Sequence, residues 1–460
     1  MKAVLVGIHL PDVTEAEFSS SMEELHRLVQ TLGFEVVGQM VQKRKSVSPA
    51  TAIGEGKLKE LAAWTGGSGI VPSSAHRHKS KAAVKAEAEK EAAQEAQAVE
   101  ADEDPEDEAQ DFATPTELAD KVIFDQELTP NQLAHLQQAT GAEILDRTGV
   151  IVEIFHRHAK TQEARLQVEI ARLKYLAPRM RATGPADRQG GGVGSKGVGE
   201  TAHELDRRRI RDRIAELQRE LETIHDGQVS RRARRRDQCR VALVGYTNAG
   251  KSSLMRALTG DEVLVANKLF ATLDTTVRAM QPEGFPRILV SDTVGFIQKL
   301  PHDLVASFRS TLDEAADASL LLYVVDASDP NFRNHLEVTK QVLSEIDGSD
   351  IPSLILLNKV DCLDTVQTKL LHKEFPDAIQ LSTRVKEDVE RVKQLLRDFV
   401  NKSLAEAEFL VPYADKSGLL GEIRQLASVV KEVHEQEGVR LTIRSFPEAL
   451  AKLKKHAEKS

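Results

Sequence analysis

The chain has 460 residues, 41% of them hydrophobic, and a formal net charge of −9; this is too long for one ordinary core, and about three domains are expected. The charge is uneven: from Ala83 to Asp111 about twelve carboxylates face two lysines, whereas from His156 to Arg240 about 21 Lys or Arg face about twelve acidic residues, so an acidic stretch hides a basic one in the sum. Cys239 and Cys362 lie far apart without a CxxC or His-rich companion, so neither a disulfide framework nor a zinc site is supported and reduced thiols are expected. No apolar run approaches the roughly 20 residues that span a bilayer. The start, "MKAVLVGIHLPDV", lacks a small-residue cleavage site and reads as a strand. A soluble, cytoplasmic protein is expected.

In chain order, "AVLVGI", Glu15 to Leu32, "FEVVGQMV", "GKLKELAAW", "KVIFD", "PNQLAHLQQA" and "EILD" alternate short apolar runs with helical stretches, which predicts an amino-terminal α/β domain over residues 1–148 with a small sheet. Residues 72–116 interrupt it with an Ala-, Glu- and Lys-rich stretch almost free of large apolar side chains, a composition that cannot sustain a core and reads as a flexible acidic insertion. Over 149–236, Leu166, Ile170, Leu173 and Ala177, then Ile210, Ile214, Leu217, Leu221 and Ile224, repeat at three and four; this spacing predicts two amphipathic helices paired as an antiparallel hairpin. Between them "RQGGGVGSKGVGE" is too rich in glycine for helix or strand. Arg188 and Lys196 within it, Arg207, Arg208 and Arg209 after it and "RRARRR" further on place positive charge around an adaptable backbone, a combination suited to RNA phosphates.

Residues 237–404 carry the strongest signal. In "CRVALVGYTNAGKSSLMRAL" an apolar strand runs into Gly245, Tyr246, Thr247, Asn248, Ala249, Gly250, Lys251 and Ser252, a GxxxxGKS match, and a helical pattern follows from Ser253. The glycines let backbone N–H groups face phosphates, Lys251 places an ammonium on the outer two, and the Ser252 hydroxyl ligates magnesium. Asp292 closes the apolar strand "RILVSD", where its carboxylate can hold the metal through water; Thr293 and Val294 follow, and Gly295 can offer its N–H to a γ-phosphate. After "IPSLILL" come Asn358, Lys359, Val360 and Asp361; a carboxylate at Asp361 accepts from guanine N1 and its exocyclic amine, an arrangement adenine lacks. "LSTR" then sets Ser382, Thr383 and Arg384 after another strand, where a backbone N–H can meet the guanine oxygen.

These stations in this order form a GTPase signature. With "ELTPNQ", "EILDRTGVIVEIF", "RLQVEIARLKYLAPR", "GGGVGSKGVGETAHELDRRRIRDRI", "LFATLDTTVR" and "DTVGFIQKLPHDLVASFRSTLDEA", the chain resembles the HflX family of P-loop GTPases over nearly everything except the acidic insertion. The resemblance implies a GTP-hydrolysing protein that binds the large ribosomal subunit, reaching ribosomal RNA with its amino-terminal domain and glycine-rich hairpin, and that splits or rescues stalled or idle ribosomes. Thr272 matches the family's switch threonine, whose hydroxyl completes the magnesium shell, with Phe270, Ala271, Leu273 and Asp274 beside it on the nucleotide loop; Lys251, Thr272 and Gly295 are the expected catalytic residues. Thr383 stands where alanine is usual, Val198 where proline is common, and the insertion sits inside the amino-terminal domain.

Phe296 stands where many GTPases carry the glutamine that orients water, and a phenyl ring cannot hydrogen-bond. Two substitutes are open: a partner that orders the loops, making turnover slow alone and faster with ribosomes, or a potassium ion on Asn248, as in similar GTPases that lack the glutamine. In the plainer alternative Asn248 bonds its own loop and Phe296 fills an apolar pocket. Residues 405–460 read as a small α+β appendage of strand, helix from Gly418 to Gln436, strand and helix, with His434 and His456 as surface residues. The whole is a multidomain α/β chain, expected to be monomeric. A GTP-switched scaffold for a protein or non-ribosomal RNA is the competing function; a P-loop kinase or ATPase is disfavoured by Asp361.

Overall fold

The computed structural model describes residues 1–71, 117–179, 202–233, 238–260, 270, 276–298, 315–345, 350–413 and 418–457. Ala271, Thr272, Leu273, Asp274, Arg188, Lys196, Val198 and the acidic insertion lie outside the described residues, as does the expected turn of the glycine-rich run. Two compact units are present, Met1–Arg157 with Glu169–Glu216, and His158–Val168 with Leu217–Ser460.

In the first unit β1 (Lys2–His9), β2 (Glu35–Lys43), β3 (Lys121–Phe124) and β4 (Glu143–Asp146) form a parallel sheet in the order β2-β1-β3-β4. The central strand β1 is almost continuously apolar because it is buried along six consecutive residues. Helices α1 (Glu15–Thr31) and α3 (Pro130–Thr140) each begin with a reciprocal cap, Thr14 with Glu17 and Thr129 with Gln132; between them in sequence lies α2 (Glu55–Thr65). Val4, Val6, Ile8, Leu61, Phe124 and Leu136 fill the core. Next come α4 (Arg147–His158), α5 (Gln162–Arg179) and α6 (Ala202–Ala233). The helix expected on Leu166 to Ala177 is α5, and the residues before it fold as the separate α4, because Thr161 accepts the Ala164 N–H at 3.2 Å and starts a new helix. Residue 149, the expected start of the hairpin domain, lies in the first turn of α4.

The nucleotide-type sheet holds β5 (Cys239–Val244), β6 (Thr276–Ala279), β7 (Ile288–Asp292), β8 (Leu320–Asp326), β9 (Ser353–Asn358) and β10 (Ile379–Gln380), in the order β10-β9-β8-β5-β7-β6. All pair in parallel except β6, which runs antiparallel to β7 at the edge. Helices α7 (Lys251–Thr259), α8 (Phe332–Ser344), α9 (Thr365–Glu374) and α10 (Lys386–Ser403) alternate with the strands. Strand β5 has a neighbour on each side that follows it in sequence, so the chain departs from it in both directions; the loops at that crevice are where such sheets bind ligands.

The carboxyl-terminal residues correct one expectation. Gly418 to Gln436 is not one helix: α11 spans Leu419–Leu426, Ala427 turns extended, and β12 (Ser428–His434) follows. With β11 (Ala405–Pro412) and β13 (Gly438–Ser445) it makes an antiparallel sheet in the order β11-β13-β12, and α12 (Pro447–Ala457) ends the described chain. "SVVKEVH" contains three β-branched valines that favour a strand once β13 supplies a partner, and that partner lies outside any local helical pattern. Cys239 is buried, Cys362 exposed and both are free. Among the described residues no helix is long and apolar enough to cross a membrane.

Candidate functional site

The loop between β5 and α7 has the shape its glycines require. Gly245 has φ +151°, and a Cβ there would lie 2.2 Å from the Val324 carbonyl oxygen of β8; Gly250 has φ +97°, and a Cβ there would lie 2.2 Å from Asn358 Nδ2. Both close approaches admit only glycine. Asn248 also takes a left-handed φ of +61°, which asparagine tolerates, and is exposed. Gly250 is the N-cap of α7 and offers no side-chain acceptor, so the positive end of that helix faces the loop, a place that favours an anion.

Lys251 is 6% exposed, and its Nζ donates to the Gly245 and Tyr246 carbonyls at 2.9 and 2.8 Å, which aims the ammonium along the inside of the loop. Burial lowers its pKa to about 8, with the Asp292 charge acting in the opposite sense. Asp292, fully buried at the end of β7, accepts from the Ser252 hydroxyl at 2.7 Å. Strand end and helix start thus bring a carboxylate and a hydroxyl together, both hard oxygen donors of the kind magnesium takes. Among the described residues there is no cluster of three or more His, Cys, Asp or Glu fit to hold a metal by itself, so an ion here would need phosphate oxygens to complete its shell.

The segment after β7 is tied to the same loop. Phe296 N–H donates to the Gly245 carbonyl at 3.1 Å and Thr247 N–H to the Phe296 carbonyl at 2.8 Å, a two-bond bridge that draws the 2% exposed phenyl ring into the interior. A Cβ on Gly295 would fall 2.8 Å from Thr247 Cγ2 and 2.9 Å from Lys251 Nζ. Thr293 is buried and its hydroxyl donates to the Leu243 carbonyl at 2.8 Å; Val294 is also buried. Sequence reasoning missed a further tie. The Tyr246 ring stacks on His335 of α8 at 3.8 Å and 9°, and the Tyr246 hydroxyl accepts the Gln298 N–H at 2.7 Å.

Asn358 is 1% exposed and crosses from β9, donating to the Ala249 carbonyl at 2.9 Å and accepting the Thr383 N–H at 3.3 Å, so one amide joins three loops. Lys359, with φ +63°, pairs with Asp326 at the end of β8. Val360 begins a short 3-10 turn that presents Asp361, whose carboxylate lies 3.5 Å from the exposed Arg384 guanidinium. Ser382 N–H donates to Asp388 at 2.8 Å, and the Ser382 hydroxyl accepts the Arg384 N–H at 3.2 Å. Asp326 and Asp388 were not singled out from sequence. The apolar strand that ends at Asp326 could have pointed to the first; Asp388 carries no local signal. Ser253 is half-buried in α7 and Phe270 is buried with φ +57°. Arg207, Arg208 and Arg209 lie on α6, and Arg209 pairs with Asp206 at 3.1 Å.

The chain is similar to known proteins over most of its length. Residues 19–70 and 85–156 match the family model described as GTP-binding GTPase N-terminal, 158–235 GTP-binding GTPase Middle Region, and 240–359 50S ribosome-binding GTPase. A GTPase HflX of Gluconacetobacter diazotrophicus is 54% identical over 98% of this chain and 97% of its own, and that of Escherichia coli is 34% identical over 96% and 93%. A crystal structure of a GTP-binding protein from Sulfolobus solfataricus with GDP is similar at 23% identity and a TM-score of 0.42, over 86% of this chain and all of that one. The chain belongs to the HflX family and is a GTPase.

Proposed function

We propose that this GTPase associates with the large ribosomal subunit and uses its nucleotide state to split or rescue stalled or idle ribosomes. The observation that carries this reading is the match of residues 240–359 to a 50S ribosome-binding GTPase in a chain whose adjoining 156–240 stretch has an excess of about nine positive charges. The expected RNA contacts are Arg188, Lys196, Arg207, Arg208 and Arg209. Within the nucleotide site, loop amides and Lys251 hold the phosphates, Asp361 takes the guanine edge, and Asn358 fixes the loops that bear them. Ser252, Thr272 and, through water, Asp292 would hold magnesium, which when bound neutralises phosphate charge. Gly295 offers its N–H to the γ-phosphate.

Phe296 is spent on packing and cannot hold water, so water positioning falls to loops ordered by the ribosome or to a potassium ion at Asn248, whose side chain is exposed on the loop. Turnover is expected to be slow alone and at least about tenfold faster with large subunits, a barrier difference of about 1.4 kcal/mol. The test is sedimentation with large subunits in a non-hydrolysable GTP analogue against GDP, together with turnover with and without subunits in potassium and in sodium. Co-migration confined to the analogue supports the reading. Its absence together with unstimulated turnover overturns it in favour of a GTP-switched scaffold, and equal rates in the two salts remove potassium.

A further inference from the structure

Two stretches that the nucleotide site does not use, "EILDRTG" and "KYLAPR", meet in the first unit. Asp146, at the end of β4, is fully buried. Its Oδ1 accepts the Tyr175 hydroxyl at 2.7 Å and the Gly149 N–H at 2.8 Å, and its Oδ2 accepts Arg179 Nη2 at 2.7 Å and the Leu128 N–H at 3.2 Å. Four donors on one carboxylate compensate its burial. Gly149 is required for the fit: a Cβ there would lie 2.5 Å from the Tyr175 hydroxyl oxygen. The Arg179 guanidinium lies over the Tyr175 ring at 3.6 Å and donates to the Tyr175 carbonyl at 2.8 Å, serving the carbonyl end of α5 where Pro178 interrupts the helical pattern. Burial and the Asp146 charge push the Tyr175 hydroxyl well above its ordinary range, so it stays protonated as a donor.

We infer that Asp146, Tyr175 and Arg179 latch the last turn of α5 to the strand ends of the amino-terminal sheet and so set the direction in which the chain leaves α5 ahead of the glycine-rich segment. That segment, residues 188–200, follows Arg179 after eight intervening residues and has six glycines in thirteen positions, so it has few side chains of its own with which to fix a course. The consequence for function rests on the ribosome reading above: a preset base lowers the ordering cost of binding RNA. These are positioning residues, apart from the nucleotide machinery.

The experiment uses the full chain with Tyr175→Phe and Arg179→Ala, each checked for folding by thermal melt. If Arg179→Ala does not fold, Tyr175→Phe, which removes a single hydroxyl, carries the test. Hydrogen exchange of the amides of residues 172–179 is expected to quicken about tenfold in the absence of ribosomes. In a titration of GTP turnover with large subunits, the half-saturating subunit concentration should rise about tenfold for Arg179→Ala and about threefold for Tyr175→Phe, with basal and maximal rates unchanged. Unchanged exchange overturns the latch. Faster exchange with unchanged half-saturation overturns its coupling to RNA binding. If the wild-type chain itself shows no stimulation, the proposed function fails, and exchange still decides the latch.

Discussion

At Gly250 the phosphate loop depends on one missing atom. The Asn358 amide occupies the space where a Cβ would stand, 2.2 Å away, and the backbone there holds φ +97°. Gly250→Ala therefore faces both the left-handed penalty of about 1–2 kcal/mol and displacement of the side chain that joins the loops of Ala249 and Thr383. Both costs fall on the nucleotide-binding geometry, because Asn358 cannot retreat without releasing the loop that precedes Asp361. GTP affinity of Gly250→Ala is expected to fall at least tenfold in an equilibrium titration, while the melting of the amino-terminal unit stays as in the wild type. Wild-type affinity in a folded Gly250→Ala protein would show that the Asn358 crossing is dispensable. Gly56, by contrast, has open space around it, and alanine there should leave nucleotide binding alone.

Between elements, the loop after β7 and the loop before α7 behave as one piece. The Phe296 bridge ties their backbones, and Tyr246, stacked on His335 and accepting from Gln298, ties them again a few residues on. His335→Ala removes the stacking surface, worth about 0.5–1.5 kcal/mol beyond area burial. The segment it loosens follows Gly295, the residue whose N–H is expected to meet the γ-phosphate, so the loss should fall on the transition state more than on ground-state binding. The expected result is a threefold to tenfold drop in kcat with little change in KM; an equal fall in GTP affinity would assign His335 to ground-state binding instead. How much of this was legible differs by contact range. The phosphate loop, Asp292, Asn358 to Asp361 and Ser382 could be read directly, since glycine spacing and the ends of apolar strands encode backbone shape locally. The alternation of the amino-terminal strands and helices was likewise legible. Tyr246 with His335, 89 positions on, was not, because no local periodicity records which helix face meets which loop. Asp146 with Arg179 is the same case. Ser428–His434 reads as helix from sequence alone, because a strand of valines and charged residues also fits a helical pattern until its partner strand is known.

Over the whole chain, charge is segregated by segment: about −10 between Ala83 and Asp111, about +9 between His156 and Arg240. A net charge of −9 argues against RNA binding only if it is averaged; counterion release responds to the local excess, because screening confines each charge to roughly 10 Å at 0.1 M salt. Arg207, Arg208 and Arg209 are consecutive on α6 and so fan across more than half the helix circumference, about 100° per residue. They cannot all face one RNA backbone, so one or two contacts are expected from the three. If the chain makes about six phosphate contacts in all, affinity for large subunits should fall on the order of a thousandfold between 50 and 200 mM salt. Replacing Arg208 and Arg209 together by glutamine should then weaken binding at low salt and reduce the slope of log affinity against log salt by about one to two, since each phosphate contact contributes close to one. Binding that weakens with no change in slope would mean that these arginines support the helix and do not touch phosphate. A wild-type slope near zero would remove RNA phosphates as the partner of this region and leave the basic segment to another acidic surface.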